Sequence, residues 1–454
     1  MSARAALRTS ASGFSRRGAC PALFAPMQTG DGFLVRLNPV TGGLAPAQLA
    51  ALCDAAHVHG NGIIEVTARG SVQIRGLTEG SATLFAQAVD RLGISVRTGV
   101  PVQTGVLAGL DPDEIADPTR LADMIRSGIA EAGLEGRLGP KVSVVIDGGG
   151  RTALDQVAAD IRLTAVVTDT GANAWQVAIA GDSRIARRLG IVPDESAACK
   201  ATLELLSAIS AIGLEARARD LLVADRHVAV PRDRPEDDVD SGASLLGIAN
   251  LRKNLVALGV ALPFGHTTSR LMRTFAEAAT NLAIGDIRAA PGRTLVAVCD
   301  TAAQAQVLRK HATALGFPIS PSDPRLSVSA CPGAPDCASG HLPARRIAAE
   351  IAREHGELLD GSVHLHVSGC AKGCAHPGIA TLTMVGGEAG TGLVIDGTAR
   401  DEPLEISNSD SARRAFANVA RLVSAQRQAN ESIAQAIQRI EVSVLAEAFG
   451  QGGR

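Results

Sequence analysis

Aromatic side chains are almost missing from this sequence of 454 residues. It has no tyrosine, Trp175 is its one tryptophan, and Phe, Trp and Tyr together make up 2% of it. The core must therefore be built from aliphatic side chains, for which the hydrophobic fraction of 46% is ample. Proteins that hold single-stranded nucleic acid stack the bases on aromatic rings, so this shortage argues against such a partner.

Strong net charge and long apolar runs are absent as well. The formal net charge is −2, which gives no basic field for nucleic acid, and no apolar run reaches membrane-spanning length. The first twenty residues are basic and contain no acid, but they lack the apolar region of a secretory signal. They predict a flexible tail over residues 1–27, with a transit peptide as the alternative. We expect a cytoplasmic protein with neither a nucleic-acid nor a membrane partner.

Cysteines are too sparse for a disulfide scaffold, since the chain has eight, but the last four lie close together. Cys331 and Cys337 occur in "SACPGAPDCASG", where prolines and glycines predict a loop. Cys370 and Cys374 occur in "SGCAKGCAHPG", and they face the same way if "CAKGC" forms one helical turn.

Four thiolates from two loops suit a 4Fe-4S cluster, and the neighbouring glycines allow backbone N–H groups to approach its sulfurs. Structural zinc, a redox dithiol and plain buried thiols are the alternatives. Zinc and redox sites more often use Cys-x-x-Cys, which neither pair has. Cys53, Cys199 and Cys299 are predicted to be structural, and Cys20 is left unassigned.

One order of elements, strand–helix–strand–strand, occurs twice, in residues 31–77 and 258–299. Without gaps, "EVTARGSVQI" (65–74) aligns with "RAAPGRTLVA" (288–297). We infer an internal duplication. A larger block of strands and helices follows each copy, a Pro- and Asp-rich stretch (229–244) connects the halves, and the C-terminal tail is predicted to be a long amphipathic helix.

The spacing Cys-x5-Cys, about thirty residues, Cys-x3-Cys resembles the 4Fe-4S motif of the sirohaem sulfite and nitrite reductases. "TARGSVQIRG" (67–76) is similar to that superfamily's Thr-x-Arg-x-x-x-Gln-x-Arg/His-Gly strand pair, and "LGPKVSVVID" to its lysine-bearing strand. The resemblance covers roughly residues 28–440. It implies an α+β, sulfite-reductase-like fold, with duplicated ferredoxin-like half-domains and two larger α/β blocks in a pseudo-twofold arrangement.

The domain boundaries that follow are a tail, a first half-domain, a first α/β domain, a linker with the second half-domain, and a cluster-binding α/β domain. These span residues 1–27, 28–110, 111–230, 231–315 and 316–445.

Within that superfamily the chain is most similar to the precorrin-3B synthase family of the aerobic cobalamin pathway. "CPALFAPMQTGDGFLVRL", "LAGLDPDEIAD" and "SGCAKGCAHPG" carry this similarity. Reductases typically have Asn in place of Lys372 and Arg in place of His376. Of their two strand lysines, Lys141 matches one, but Ser143 stands at the other position. Binding sulfite needs a cationic cage, and here that cage is incomplete.

The resemblance implies a monooxygenase that uses O₂ to hydroxylate precorrin-3A at C-20 and closes a γ-lactone. It implies a 4Fe-4S cluster on Cys331, Cys337, Cys370 and Cys374, a mononuclear non-haem iron, and NADH as the formal reductant. No Gly-x-Gly-x-x-Gly motif is present, so we expect a separate electron-donor protein. His341, His366 and His376 are candidate neighbours of the iron, but its ligands are left unassigned.

The acetate and propionate groups of such a substrate suit bidentate arginine. Arg69, Gln73, Arg75 and Lys141 are the candidate substrate-binding residues, with Arg288 and Arg293 at analogous places in the second copy. The first three share a face if Arg69 belongs to the strand, and a solvated surface charge is the alternative for each arginine. Two other functions stay open: a sirohaem-dependent sulfite or nitrite reductase, and a non-catalytic cluster-bearing protein.

Overall fold

The computed structural model describes most of the chain, in residues 21–152, 154–224 and 245–453. Cys20, most of the expected tail and the connecting stretch 229–244 therefore lie outside the described residues. Within them the chain forms two compact units. The first consists of residues 21–27, 34–260 and 268–311, and the second of residues 28–33, 261–267 and 312–453. In these ranges, no helix combines the length and the apolar character needed to cross a membrane.

The elements of the first half of the chain follow the expected order. The half-domain contains β1 (Met27–Thr29), β2 (Gly32–Leu37), α1 (Pro46–His59), β3 (Ile63–Val66), β4 (Val72–Leu77) and α2 (Glu79–Arg91). The block after it contains β5 (Val102–Thr104), α3 (Thr119–Glu131), β6 (Val144–Asp147), β7 (Ala159–Val167), β8 (Asn173–Gly181), β9 (Arg187–Val192), α4 (Glu195–Ile212) and α5 (Ala218–Ala224).

The second half repeats this order. Its half-domain contains β10 (Gly247–Asn250), β11 (Val256–Ala261), β12 (His266–Thr268), α6 (Ser269–Asn281), β13 (Asp286–Ala290), β14 (Thr294–Cys299) and α7 (Ala302–Ala314). The following block contains β15 (Val328–Ala330), α8 (Ala344–Glu354), β16 (Leu365–Ser368), β17 (Ala380–Gly387), β18 (Gly390–Gly397), β19 (Glu405–Ser407), α9 (Ala412–Gln426), α10 (Ile433–Arg439) and α11 (Val442–Gly450).

Helix α1 shows why the local sequence folds as it does. Pro46 occupies the first turn, where its missing N–H costs nothing, and the Gln48 side chain accepts from the Ala45 backbone N–H. Leu49 and Leu52 face inward from the helix, which ends at Gly60 as the sequence indicates. Helix α1 packs against α6, its counterpart in the second copy.

The duplication is confirmed by strand pairing. The half-domain sheets contain β2–β4–β3 and β11–β14–β13, which is the same order. The two hairpins also match the gapless sequence alignment residue for residue. Ile64–Ile74, Glu65–Gln73 and Val66–Val72 pair in the first copy, and Ile287–Ala297, Arg288–Val296 and Ala289–Leu295 pair in the second.

The larger blocks share one topology as well, as the resemblance to the reductases implies. Their sheets run β5–β6–β7–β8–β9 and β15–β16–β17–β18–β19. In each, the first three strands are parallel and the last two are antiparallel. The loops after β6 (148–158) and after β16 (369–379) have the same length. Each sheet packs one face on its own helices to form an aliphatic core.

The C-terminal tail differs from the expectation of one long helix. It forms three helices, α9, α10 and α11. Asn430 has a φ of 65°, in the left-handed region, and Ser432 then caps α10 by accepting from the backbone N–H of Gln435. The breaks let α9, α10 and α11 contribute buried residues to the same core as β16 and β17.

Candidate metal centre and anion-binding face

The four clustered cysteines lie on two loops at one edge of the second block's sheet. Cys331 follows β15, and Cys370 follows β16. These strands are neighbours and parallel, so their carboxyl ends meet at the same edge. The chain after β15 stays irregular from Cys331 to Pro343, where "CPGAPDC" predicts a loop.

The two loops touch at Gly369. Its backbone N–H donates to the Cys331 Sγ across 3.0 Å, and its carbonyl accepts from the His341 N–H at 2.7 Å. A Cβ at Gly369 would lie 2.8 Å from the Gly333 Cα and 3.4 Å from the Cys331 Sγ. Glycine is thus required here by close backbone approach, as the sequence predicts for residues beside a cluster.

Cys337 lies beside Gly30, a residue that no motif in the sequence connects with the cysteines. The Ala338 N–H donates to the Gly30 carbonyl at 2.9 Å, and a Cβ on Gly30 would come within 2.3 Å of the Cys337 Sγ. Gly30 is far away in sequence and lies in no motif with the cysteines. Only the folded chain shows that it makes room for this thiol.

The second cysteine pair lies in a turn, so the helical turn over "CAKGC" that would let both thiols face the same way does not form. Gly373 has a φ of 62°, which a helix does not contain, and its N–H donates to the Cys370 carbonyl at 3.5 Å. Lys372 reaches back to the first loop and donates from Nζ to the Ser339 Oγ at 2.6 Å. Lys372 and Ser339 therefore tie the two cysteine loops together.

The thiols differ in exposure and electrostatics. Cys331 is buried, Cys337 and Cys370 are half-buried, and Cys374 is exposed. Burial raises the pKa of the Cys331 thiol, the N–H groups of Gly369 and Gly333 lower it, and the charges of Cys374 and Cys370 raise it again. The second pair is thus close enough to Cys331 for its charges to act on that thiol. A cation that neutralises several thiolates would relieve their mutual repulsion.

Three histidines gather on the polar face of the same sheet. His364 and His366 alternate on or beside β16, and the His376 ring centroid lies 4.4 Å from that of His364 and 5.7 Å from that of His366. His376 Nε2 lies 3.0 Å from the Ile379 carbonyl, and His364 Nε2 lies 3.0 Å from the Ser329 Oγ. The sequence pointed to His366 and His376; His364 was missed, although the alternation "HLH" could have indicated it.

The donor set fits a polynuclear cluster better than a single ion. In the described ranges, no group of three or more His, Cys, Asp or Glu side chains is arranged to hold one metal ion. In a cubane each thiolate binds a different iron, so its ligands are spread more widely than those of tetrahedral zinc. Two glycine-lined loops, with a backbone N–H already on a cysteine sulfur, suit such a cluster. A mononuclear iron finds no matching site in these residues.

Polar side chains form a second group on the first half-domain, which we call the Glu65 face: Arg36, Glu65, Gln73 and Arg75. Gln73 and Arg75 alternate on β4 and are buried, and Glu65 pairs with Gln73 across the hairpin. Gln73 Nε2 donates to Glu65 Oε2, and Gln73 Oε1 accepts from the Arg36 Nε at 2.9 Å. Arg75 Nη1 donates to the same Glu65 oxygen at 3.2 Å.

The other two candidate residues lie elsewhere in the same unit. Arg69 is in the hairpin turn before β4, not on the strand, and its guanidinium donates to the Ala158 carbonyl. Lys141 is exposed in the turn before β6. Ser143, at the second lysine position of the reductases, is buried, with its N–H bound to Asp160. Arg36 and Glu65 were not among the residues that the sequence singled out.

Sequence similarity to known proteins covers nearly the whole chain. A precorrin-3B synthase from Sinorhizobium sp is 38% identical over 444 residues, covering 96% of this chain and 95% of that protein. The chain belongs to the precorrin-3B synthase family. Residues 25–91, which include the Glu65 face, match the family described as "Nitrite/Sulfite reductase ferredoxin-like half domain".

More distant similarities agree with this membership. A ferredoxin–nitrite reductase of Synechococcus elongatus is 23% identical over 390 residues, covering 78% of this chain and 76% of that protein. The solved structure of the Mycobacterium tuberculosis NirA protein superposes with a TM-score of 0.69 at 20% identity, covering 91% of this chain and 84% of that one. The likeness to NirA concerns the fold, and it confirms the expected sulfite-reductase-like α+β class.

Proposed function

We propose that this chain is a precorrin-3B synthase, a monooxygenase of cobalamin biosynthesis. It would hydroxylate precorrin-3A at C-20 and close a γ-lactone with a neighbouring acetate. One oxygen atom of O₂ enters the product, and the other leaves as water, with two electrons supplied formally by NADH through a donor protein. The observation that carries the proposal is the contact of two cysteine loops at Gly369, in a chain 38% identical to a precorrin-3B synthase.

Cys331, Cys337, Cys370 and Cys374 would hold a 4Fe-4S cluster, which supplies single electrons that side chains cannot provide to O₂. The protein's own part is to arrange the loops. The Gly369 N–H stabilises the charge on the Cys331 sulfur, and Lys372 holds the second loop to Ser339. Because no described residues match a mononuclear iron site, we assign it no ligands.

Arg69, Gln73, Arg75 and Lys141 would bind substrate carboxylates. The support is strongest for Gln73 and Arg75, which already donate to one carboxylate, that of Glu65. Arg75 can offer charge-assisted hydrogen bonds to an acetate or propionate in the same way. Arg69 and Lys141 are exposed, and they would contribute charge more than fixed geometry.

The reductase alternative is disfavoured by the first block. A sulfite or nitrite site needs several converging cations, and the position of the second reductase lysine carries the buried hydroxyl of Ser143. Of the two strand lysines typical of the reductases, only Lys141 is present, and it is exposed. A site for a large polycarboxylate does not require that cage.

The test starts with chain purified and reconstituted without oxygen. We expect broad iron–sulfur absorption and labile sulfide, without strong sirohaem bands. Supplied with precorrin-3A, a reductant system and isotopically labelled O₂, the protein should yield a lactone product that carries one labelled oxygen. Strong sirohaem bands together with sulfite or nitrite turnover would instead establish the reductase.

Matched cysteine variants test the ligands. Cys331→Ser should lose the cluster absorbance and turnover, whereas Cys199→Ala, at a buried cysteine of α4 in the other unit, should keep both. Full cluster absorbance in Cys331→Ser would refute the ligand assignment. A loaded cluster without any conversion of precorrin-3A would favour a non-catalytic cluster protein.

A further inference from the structure

The Glu65 face contains an anion of its own. Glu65 Oε2 accepts from both Gln73 Nε2 and Arg75 Nη1, and the Arg75 and Glu65 side chains are only 11% and 15% exposed. These are the donors that would bind a carboxylate of the substrate. The carboxylate of Glu65 therefore occupies the position in which a ligand carboxylate would be recognised.

The second copy adds to the same face. The two hairpin tips meet, with the Gly292 N–H donating to the Ala68 carbonyl at 3.0 Å and a bridge between Arg69 and Pro291. The next residue, Arg293, has a φ of 63° and is half-buried; burial lowers the pKa of its guanidinium, and the negative charge of Glu65 raises that pKa. Among Arg36, Arg75, Arg293, Gln73 and Glu65, three side chains are cationic and one is anionic.

The hairpin itself does not need this arrangement. In the second copy Arg288 stands where Glu65 stands in the first, and it pairs with Val296 in place of Gln73. The same hairpin therefore forms without a Glu–Gln pair. This difference between the copies indicates that Glu65 is present for what binds there and not for strand pairing.

We propose that Glu65 is a specificity-determining residue, an internal carboxylate that holds Gln73 and Arg75 ready and is displaced by a carboxylate of a tetrapyrrole substrate. The inference rests on the proposed function, because it takes its ligand class from there. Only a ligand whose carboxylates also engage the neighbouring arginines gains enough to displace Glu65. Small single anions are thereby excluded.

The consequence is that removing the negative charge should tighten binding. Glu65→Gln keeps an oxygen that accepts from Gln73 and Arg75 but loses the charge that competes with the ligand. With uroporphyrin, a stable tetrapyrrole bearing acetate and propionate groups, we expect full-length Glu65→Gln to bind about three- to tenfold more tightly than the wild type, as for one screened charge.

Control variants separate this effect from general charge and from folding. Asp90→Asn removes one exposed negative charge from the same half-domain and should leave uroporphyrin affinity unchanged. Arg75→Gln should weaken it tenfold or more. Glu65→Asp keeps the charge on a shorter side chain, and its affinity for uroporphyrin should lie between those of the wild type and Glu65→Gln. This variant replaces Glu65→Gln in the test if Glu65→Gln does not fold.

The outcomes distinguish the two proposals. If Arg75→Gln weakens uroporphyrin binding but folded Glu65→Gln and Glu65→Asp bind no more tightly than Asp90→Asn, the role of Glu65 is wrong and the substrate class stands. If wild type and Arg75→Gln both fail to bind uroporphyrin, or bind it equally, the tetrapyrrole does not use this face and both proposals fail there.

Discussion

At the scale of single residues, the close approach of Gly30 to Cys337 allows the ligand assignment to be tested without touching a cysteine. A Cβ on Gly30 would lie 2.3 Å from the Cys337 Sγ. A free thiol can rotate away from a new methyl group at small cost, but a thiolate fixed to iron cannot. The same substitution therefore has different effects on the two forms of the chain.

We expect Gly30→Ala to leave the thermal midpoint of the cluster-free chain within a few degrees of wild type and to make the reconstituted cluster bleach several-fold faster in air. Cluster absorbance over time measures the second effect. Gly80→Ala is the control, since a Cβ there meets nothing within 4 Å. Equal bleaching in both variants would show that Cys337 is not held by a cluster.

Glu114 is a buried carboxyl group whose raised pKa should make the stability of the protein depend on pH. It is buried in the "LAGLDPDEIAD" loop, and desolvation raises the pKa of its carboxyl from 4.5 to about 7. The Gly109 N–H bonded to its Oε2 lowers the pKa, and the negative charges of Asp117 and Asp111 raise it. Between pH 4.5 and about 7, Glu114 therefore keeps its proton in the folded chain but loses it in the unfolded chain.

Stability from this group is therefore largest at low pH and is lost as the pH rises from about 4.5 to about 7. Glu114→Gln, which cannot ionise, should gain about 1–3 kcal/mol relative to wild type between pH 5 and pH 8. Urea unfolding of both proteins at several pH values measures the difference. Parallel stability curves would contradict a raised pKa.

At the scale of elements, the loop 148–158 is shaped by one buried ion pair. Arg162 on β7 donates from Nη2 to the carbonyls of Leu154 and Val157, both at 2.7 Å. Asp147 at the end of β6 accepts from the N–H groups of Gly149 and Leu154, at 2.9 and 2.8 Å. Its Oδ2 lies 3.9 Å from the Arg162 Nη1. Both side chains are almost fully buried.

Removing only Arg162 from this ion pair should lower the free energy of unfolding more than removing both charges. Arg162→Met leaves the Asp147 carboxylate buried without its cation and should lower the free energy of unfolding by about 3–5 kcal/mol. Adding Asp147→Asn should recover part of that loss. Denaturant unfolding of the two single variants and the double variant gives the coupling, and strictly additive losses would show that the pair does not interact.

The elements also show what the sequence could predict. The hairpin alignment of 65–74 on 288–297 was confirmed pair by pair, because turns and strand lengths are local properties. The common topology of the larger blocks was expected only from the family resemblance, because their corresponding strands differ in chemistry. Val145 and Arg162 pair on β6 and β7, but His366 and Thr383 pair at the matching place on β16 and β17.

The candidate site also has a part that the sequence predicts and a part that only the structure shows. The two cysteine pairs and the Arg-x-x-x-Gln-x-Arg pattern of residues 69–75 are short motifs that are visible in the sequence. Gly30 and Arg36 meet them only through folding, so no spacing could have indicated them. Glu65 and Ser339 lie near the motifs in sequence, but their contacts with Arg75 and Lys372 are seen only in the structure. The i, i+4 spacing of Cys370 and Cys374 left a helical turn possible, because it does not specify the φ of the glycine between them.

At the scale of the whole molecule, the two units should respond differently to loss of the cluster. All four cysteines lie in the second unit, and the loop 148–158 lies in the first. A cluster would join the two cysteine loops through their thiolates, whereas the backbone of 148–158 is held by the side chains of Arg162 and Asp147. Local stability should therefore fall in one unit only.

We expect hydrogen exchange of cluster-free chain, compared with cluster-loaded chain, to be faster in 331–343 and 369–379 and unchanged in 148–158. Mass spectrometry of peptides from both forms measures this, and Cys331→Ser should behave like the cluster-free form. Equal acceleration in 148–158, or no change in either cysteine loop, would contradict a cluster confined to these loops.

The equal lengths of the loops 148–158 and 369–379 also bear on how such a chain could arise. After an ancestral gene doubled, each half inherited the same backbone frame at the end of the same pair of strands. Substitutions could then place Cys370 and Cys374 in one frame and the ion pair of Asp147 and Arg162 beside the other, with no net change of length. The loops 148–158 and 369–379 would then descend from one ancestral loop, the first now stabilised by side chains and the second suited to binding a metal cluster.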